Sequence, residues 1–336
     1  MKLTLYLPGL LLPQPVLDDT AYDLAAPALS RMLGRSMRRD LPENWLCDAF
    51  GVPSPLPVAA LRKVGAGGTA TGEWICLDPV HWRVSREGIT LDDPAHLKLD
   101  DKESQALLDA VAPLLADWGV LSASSPGTWE LQLSRPAALE TPPLPAAIDQ
   151  NITPRMPAGP DGGEWRRLLA EIQTILHAHP VNRRREEMEK GGQGGRPVVN
   201  SLWLWGAGKL PATAATEFTV AWANDPVLAG LALMADIPCI APPEQYQPAS
   251  GNILSVVTAL EAPARSLNAL AWREALLEIE RLWIAPAVDA VKRGHCPQFE
   301  IVGAASGVPA RAISLTATRS GLLRFWRRSQ PLTMLQ

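Results

Sequence analysis

The chain has 336 residues, of which 47% are hydrophobic and 20% are charged, a composition typical of folded globular proteins and not of disordered ones. Its formal net charge of −4 gives no general reason to expect nucleic-acid or membrane binding. The four cysteines lie far apart and form no CxxC pair. This predicts reduced thiols in a cytoplasmic protein rather than a disulfide framework or a zinc site.

The first part of the chain alternates apolar segments with proline and glycine. Residues 3–7 predict a buried first strand, and the prolines that follow argue against a signal peptide. No stretch reaches the roughly 20 apolar residues needed to cross a bilayer. A helix is predicted over 23–34, a Pro- and Gly-rich loop over 50–70, and strand-like pieces over 72–84.

The middle of the chain predicts a compact α+β segment followed by a junction. Residues 100–118 have an acidic start and apolar residues at helical intervals, and residues 128–134 alternate like a strand. The proline-rich stretch 135–163 predicts a domain junction. After it, residues 164–177 form the clearest amphipathic helix pattern of the chain.

The remainder shows a second alternation of strands and helices. Such alternation predicts an α/β fold with a mostly parallel sheet and helices on both faces. The predicted strands are 201–205, 237–240, 253–259, 299–304 and 310–317, and the predicted helices are 226–235 and 267–292.

The stretch from His179 to Pro211 contains the candidate functional residues. It reads HPVNRRREEMEKGGQGGRPVVNSLWLWGAGKLP. Arginine guanidinium groups suit phosphate or carboxylate, and a GAGK turn after a strand offers backbone N–H groups to an anion. The stretch lacks P-loop spacing. The structural alternative is a solvated helix end, with Lys209 merely capping a turn.

Other motifs carry less information. The glycine-rich loop at 64–72 lacks the GxGxxG spacing of a dinucleotide site, and no GxSxG nucleophile elbow occurs. His177 and His179 do not share a helix face, which argues against a metal site there. The twelve tryptophans fall at core-like positions, which predicts packing rather than a base-stacking surface.

The same stretch resembles the archaeal-type, cofactor-independent phosphoglycerate mutases of the alkaline-phosphatase superfamily. The resemblance lies in HPVNxxR followed by NS[IL]WLWGxG[KR]xP, here with an intervening loop lengthened by EKGGQGG. It implies an alkaline-phosphatase-like core formed by 1–85 and 160–336, with a small inserted α+β subdomain at 90–155. Bacterial proteins with this signature are also named Rpf-type regulatory proteins, and the chain is identified as a degenerate member of that kind.

The family's metal ligands are replaced in this chain. These enzymes use two divalent metals, held by Asp and His, and a Ser or Thr nucleophile, because the metals activate the attacking hydroxyl and neutralise the transferring group. Alanine, proline and arginine cannot serve as ligands of a hard divalent ion. The family's ligand positions correspond here to Pro8, Ala264, Asn268, Ala304, Ala305 and Ala317, and Arg265 stands beside Ala264.

These departures favour a pseudoenzyme without catalytic residues, metal ligands or cofactor. We expect a regulatory role in the cytoplasm and a phosphorylated small molecule or a protein as partner, with no nucleic acid and no membrane. The candidate residues for an anionic ligand are His179, Asn182, Arg185, Asn200 and Lys209.

The sequence leaves open two alternative functions for this chain. One is an active phosphoglycerate mutase, an isomerase, or a related phosphotransferase that holds Mn²⁺ or Mg²⁺ in a rearranged site. The other is a purely structural role for the HPVN and WLWG segments. The rearranged site would draw on Asp18, Asp19, His81, Asp225 or Asp236.

Overall fold

A computed structural model of the chain describes residues 2–42, 44–86, 88–190, 195–248, 250–305 and 311–335. Most of the loop extension predicted around EKGGQGG, residues 191–194, lies outside the described residues. The chain forms two compact units. The first unit comprises Met1–Ser54 and Thr213–Gln336, and the second unit comprises Pro55–Ala212. Among the described residues, no helix combines the length and apolar composition needed to cross a membrane.

Strands and helices alternate along both units. The strands are β1 (Lys2–Leu11), β2 (Met37–Leu41), β3 (Glu73–Val80), β4 (Trp82–Ser85), β5 (Gly88–Leu91), β6 (Gly119–Ser125), β7 (Thr128–Leu133), β8 (Ser201–Gly208), β9 (Val220–Trp222), β10 (Cys239–Ile240), β11 (Asn252–Val256), β12 (Gln298–Ala305) and β13 (Ala312–Thr318). The helices are α1 (Gln14–Ala21), α2 (Pro27–Arg35), α3 (Trp45–Ala49), α4 (Val58–Gly65), α5 (Asp101–Val111), α6 (Leu144–Ala147), α7 (Gly162–Ala178), α8 (Pro180–Lys190), α9 (Pro226–Met234), α10 (Glu261–Arg265), α11 (Ala269–Ile279), α12 (Ala285–Arg293) and α13 (Arg319–Leu322). Short 3-10 helices cover Pro94–Leu97, Ala112–Leu115, Thr153–Arg155 and Leu332–Met334.

The first unit contains a seven-stranded, mostly parallel sheet in the described part of the chain, which confirms the predicted α/β class. Its strand order is β10-β9-β11-β1-β12-β13-β2. The strands from β10 to β12 pair in parallel, and β13 runs antiparallel to both of its neighbours. The central strand β1 is apolar and buried along most of its length, as expected for a parallel strand covered on both faces.

The helix predicted over 267–292 is interrupted in the structure. It begins at Ala269, where the side chain of Asn268 caps α11, and passes through a π-helical turn at Glu280–Ile284 before α12. Pro286 has no backbone N–H and therefore cannot donate to the carbonyl oxygen of Leu282. That oxygen instead accepts a hydrogen bond of 2.9 Å from the backbone of Tyr246. The proline thus explains where the regular helix is broken.

The second unit contains an antiparallel sheet of order β6-β7-β3-β8 and a β4-β5 hairpin. Strand β3 pairs with β8 from Val80↔Ser201 to Trp74↔Gly208. This pairing corrects the predicted domain boundaries, since residues 55–85 and 160–212 belong with 90–155 rather than with the core. A short apolar run such as SLWLW fits a parallel or an antiparallel buried strand equally well, so the pattern could not assign it. The loop predicted over 50–70 also contains a regular helix, α4.

Each unit has its own apolar core. Trp129, Trp165 and Trp203 are fully buried in the second unit, and Trp272 is fully buried in the first. The prediction that tryptophans serve packing is therefore confirmed for these four. Trp326 differs because it is largely exposed.

Candidate functional site

Asn182 joins two segments of the second unit. It lies in the first turn of α8 and is almost fully buried. Its Nδ2 donates to the carbonyl oxygens of Leu176 and Val199, both at 2.7 Å, and its Oδ1 accepts from the backbone N–H of Val199 at 2.9 Å. The amide therefore uses both donor hydrogens and its oxygen to tie the end of α7 to the segment before β8.

Arg185, one turn further along α8, is also buried and bonded to protein groups. Its Nη1 donates to the carbonyl oxygens of Leu97 and Pro197, each at 2.8 Å. Its Nε and Nη2 form a two-pronged ion pair with the carboxylate of Glu103, with an Nε–Oε1 distance of 3.2 Å. The guanidinium thus holds together segments that lie more than 80 residues apart in the sequence.

The other three predicted anion-binding residues lie in different environments. Asn200 exchanges two hydrogen bonds with the backbone of Trp82, at 2.7 and 2.8 Å. His179 ends α7 and is half-buried, and burial, followed by the charge of Arg184, lowers its pKa below the ordinary value. Lys209 is exposed just beyond the last residue of β8, whereas Asn200 immediately precedes the first.

These positions do not favour a five-residue anion site. Asn182 and Arg185 turn their polar groups to protein atoms, and β8 separates Asn200 from Lys209. A buried donor that already has a good partner gains little from an anion and would have to lose that partner first. The contacts of these residues therefore favour the structural alternative for the HPVN segment.

A second buried arginine network was missed in the sequence. Arg62 on α4 forms a two-pronged ion pair with Asp78, at 2.7 and 2.9 Å, and donates to Glu130 at 3.1 Å. Asp78 also accepts from the indole N–H of Trp205 at 2.7 Å. Burial raises the pKa of Glu130, opposed by the charge of Arg62 and by a hydrogen bond from Ser124. A carboxylate inside an otherwise apolar strand segment, as in CLDPV, is the sequence signal that could have revealed this network.

Three of the positions that the resemblance assigns to metal ligands lie on adjoining elements of the first unit. Pro8 and Ala304 are register neighbours on β1 and β12, at the carboxyl edge of the sheet. Gly9 has φ +84°, and a Cβ there would lie 2.5 Å from the carbonyl oxygen of Leu260, so the close approach of the segment before α10 requires glycine. Ala264 is buried in α10, which packs against β1. β1, β12 and α10 therefore adjoin one another here, and Pro8, Ala264 and Ala304 have no side-chain atom that could bind a metal ion.

Two further positions that the resemblance assigns to metal ligands, Ala317 and Asn268, differ from these three. Ala317 pairs with Phe299 near the amino end of β12, whereas Ala304 pairs with Ala312 at the carboxyl end. The expectation that Ala317 stands at a ligand position is therefore wrong, because β13 runs antiparallel and its last residues lie at the opposite edge. Asn268 uses its side-chain oxygen as the N-cap of α11, accepting from Ala271 at 3.1 Å.

A cavity of about 610 Å³ opens at the carboxyl ends of β9, β10 and β11. Ligands of open α/β sheets bind characteristically at this edge. Its polar lining residues are Asn224, Asp225, Glu244, Thr258 and Glu261, and the indole of Trp283 adds an apolar wall.

The electrostatics of this edge are acidic. Burial raises the pKa of Tyr6 to about 12, and the charges of Glu261 and Asp225 add to this shift. Asp225 also caps α9, accepting from the backbone of Leu228 at 2.8 Å. The guanidinium of Arg265 is 4.0 Å from the carboxylate of Glu261. A negative lining disfavours phosphate and favours cations or hydrogen-bond donors.

The residues at this edge do not fit the two-metal centre that the resemblance implies. Within the described ranges, no three His, Cys, Asp or Glu side chains lie close enough to share one metal ion. Of the residues considered for a rearranged site, Asp225 lines the cavity. Asp18 and Asp19 lie in α1, Asp236 follows α9, and His81 in the second unit has Nδ1 at 2.8 Å from the carbonyl oxygen of Val198.

Comparison with known proteins supports the resemblance at the level of the fold. No protein-family model matches the chain. The chain is 32% identical over 75 residues to a 2,3-bisphosphoglycerate-independent phosphoglycerate mutase from Methanosarcina mazei, a stretch covering 22% of this chain and 17% of the relative. The match therefore spans less than a fifth of the relative's length.

Two solved structures are similar over almost the whole chain. The PH0037 protein from Pyrococcus horikoshii has a TM-score of 0.58 at 14% identity, with 99% of this chain and 91% of that chain covered. A cofactor-independent phosphoglycerate mutase from Thermoplasma acidophilum has a TM-score of 0.48 at 16% identity, covering 99% and 94%. With the local sequence match, the likeness to the Pyrococcus protein indicates that this chain has a phosphoglycerate mutase-like α/β fold.

Proposed function

We propose that this chain is a phosphoglycerate mutase-like pseudoenzyme that acts by binding a ligand or a protein partner in a regulatory role. The observation that carries the proposal is the side-chain chemistry where β1, α10 and β12 meet. Pro8, Ala264 and Ala304 stand there with no metal-binding atom, while Gly9 allows the close backbone approach. The side chains where these elements meet thus offer no ligand to a metal ion, which supports the proposal.

The absence of metal-binding side chains matters because phosphoryl transfer depends on charge neutralisation. The transferring group carries negative charge that metals and cationic side chains must stabilise. The cavity at the carboxyl edge presents Asp225, Glu244 and Glu261 instead. Without a bound cation these carboxylates raise the energy of an incoming phosphate, so this edge does not favour phosphoryl transfer.

The charges that line the cavity also indicate the chemical class of the ligand. Arg185, the one arginine among the candidate anion-binding residues, uses its donors on Glu103 and on backbone carbonyl oxygens. The acidic cavity favours a ligand that is positively charged or rich in hydrogen-bond donors, such as an amine or a basic side chain of a partner. A protein partner therefore suits this edge better than a phosphorylated metabolite.

The test measures metal content and turnover on the same sample. The purified chain is incubated with Mn²⁺ or Mg²⁺, desalted and analysed for bound metal, and conversion of 3-phosphoglycerate to 2-phosphoglycerate is followed. We expect no turnover, substoichiometric metal and no change in melting temperature with metal. Stoichiometric metal with turnover would refute the proposal.

One observation bears on the alternative of an active phosphotransferase. Asp225, one of the residues considered for a rearranged site, lines the cavity together with Glu261 and the hydroxyl of Thr258. If turnover is found, Thr258→Val and Asp225→Asn should abolish it. A contaminating enzyme would give turnover that both variants retain.

A further inference from the structure

An exposed apolar cluster lies near the carboxyl terminus of the first unit. Phe325 is 83% exposed, Trp326 is 67% exposed and Leu323 is 56% exposed. The two rings contact each other edge to face, with centroids 5.3 Å apart and an interplanar angle of 82°. Contiguous exposed apolar side chains, unlike single scattered ones, can mark an interaction surface.

The surroundings of the cluster are strongly basic. Helices α2, α12 and α13 pack against one another, and they form, with the segment up to Arg328, what we call the basic face. It contains eight of the 31 basic residues of the chain and one of its 35 acidic residues, Asp289. The basic residues are Arg31, Arg35, Lys292, Arg293, Arg319, Arg324, Arg327 and Arg328.

The apolar cluster is fixed to this face. Arg35 donates to the carbonyl oxygens of Leu322 and Arg327, both at 2.9 Å. A Cβ at Gly34 would lie 2.0 Å from the carbonyl oxygen of Arg328, so the segment approaches α2 as closely as glycine permits. These bonds involve the main chain of residues 322–328 and leave the side chains of Phe325 and Trp326 directed outward.

We propose that the basic face docks on the surface of an anionic phospholipid bilayer, with Leu323, Phe325 and Trp326 entering the interface. Tryptophan and phenylalanine partition to the boundary between headgroups and acyl chains, and the exposed Arg324, Arg327 and Arg328 beside them can pair with anionic headgroups. The occupant is thus argued from charge complementarity combined with apolar side chains that have no protein cover.

One feature favours lipid over nucleic acid. The aliphatic side chain of Leu323, which is 56% exposed, adds apolar area that base stacking does not use. The proposal departs from the expectation of no membrane partner, which rested on a net charge averaged over the whole chain.

The test uses the full chain and sedimented vesicles of phosphatidylcholine, with or without a minority of phosphatidylserine. We expect binding to the anionic vesicles that weakens as salt is raised, and little binding to phosphatidylcholine alone. Replacing Arg324, Arg327 and Arg328 together by Gln should weaken binding roughly a hundredfold. Phe325→Ser combined with Trp326→Ser should weaken it by about tenfold or more.

Matched variants separate charge from folding. Arg167, Arg183 and Arg184, exposed residues of the second unit, are replaced together by Gln, which removes the same charge elsewhere and should leave binding unchanged. Arg324, Arg327 and Arg328 replaced by Lys should retain most of it. Circular dichroism and melting temperature verify that each variant is folded.

Several outcomes would overturn the proposal. Absence of vesicle binding, equal binding to neutral and anionic vesicles, or equal loss in the second-unit control would each do so. Tight binding to a single-stranded oligonucleotide without vesicle binding would assign the face to nucleic acid. A concentration-dependent dimer in sedimentation velocity that Phe325→Ser and Trp326→Ser abolish, again without vesicle binding, would assign it to a second copy of the chain.

Discussion

The HPVN segment of the second unit and the carboxyl edge of the sheet in the first unit are opposite cases. The first has a conspicuous motif, and the polar groups of Asn182 and Arg185 end on protein atoms. The second has no conspicuous motif, and its carboxylates Asp225, Glu244 and Glu261 line an open cavity. Asn182 and Arg185, which are easy to recognise in the sequence, are thus bonded within the fold, whereas no local motif predicts that the three carboxylates line one cavity.

The type of a hydrogen-bond donor and its availability to a ligand are separate properties. An arginine in the sequence predicts a forked donor, but the tertiary structure decides whether that fork faces a ligand or a backbone carbonyl. Substitutions in the two regions should therefore have different consequences: loss of stability in the second unit, and small stability effects at the carboxyl edge.

Replacement of Arg62 by Ala should have the largest effect. It would leave the buried carboxylates of Asp78 and Glu130 without their cation, and breaking a buried pair costs about 3–5 kcal/mol of unfolding free energy. Urea unfolding of the full chain measures it. Arg183→Ala, at an exposed position, should change the value by less than about 0.5 kcal/mol. Equal effects of the two variants would show that the Arg62 network is not a stabilising element.

Replacement of Arg185 by Ala should be destabilising to a lesser degree. Glu103 remains partly exposed and can be hydrated, so we expect a loss of about 2–3 kcal/mol, mostly from the carbonyl oxygens left without a donor. The neighbouring Arg184→Ala is the control, because that side chain is exposed. A change in affinity for inorganic phosphate with unchanged stability would contradict the structural interpretation and restore the anion site.

At the carboxyl edge, Asp225→Ala should cost about 1 kcal/mol, because it removes the side-chain cap of α9. Asp225→Asn keeps the cap and should keep the stability within a few tenths of a kcal/mol. Thermal and urea unfolding distinguish the two. A loss from Asp225→Asn as large as that from Asp225→Ala would show that the charge at the cavity, and not the cap, stabilises this edge.

His179 should produce a small pH dependence. Its pKa is lowered in the folded state by burial and by Arg184, so the unfolded chain binds the proton first as pH falls through the ordinary value of 6.5. Stability is therefore complete above that value and decreases as pH falls toward the lowered pKa. His179→Gln should remove this part of the pH dependence, and an NMR titration of the imidazole gives the pKa directly. A pKa above 6.5 would reverse the sign.

Much of the fold could be predicted because apolar periodicity depends on local sequence. Residues 3–7 and 164–177 predicted a strand and a helix that the structure has as β1 and α7. Helix α4 was missed because the prolines and glycines on both sides of it suggested a loop. The ion pair of Arg62 with Asp78 was missed because no local pattern shows which distant side chain a buried arginine meets.

The α/β alternation, the buried first strand and the amphipathic α7 can be read from the sequence, as can the absence of a side-chain metal-ligand atom at Pro8, Ala264 and Ala304. These follow from side-chain chemistry and from periodicity, which are local properties. Tertiary packing determines that β8 pairs antiparallel with β3, that Arg185 pairs with Glu103, and that Ala317 lies at the far edge of the sheet. Strand order, strand direction and hydrogen-bond partners depend on long-range packing, because the same apolar run or guanidinium satisfies several local arrangements equally well.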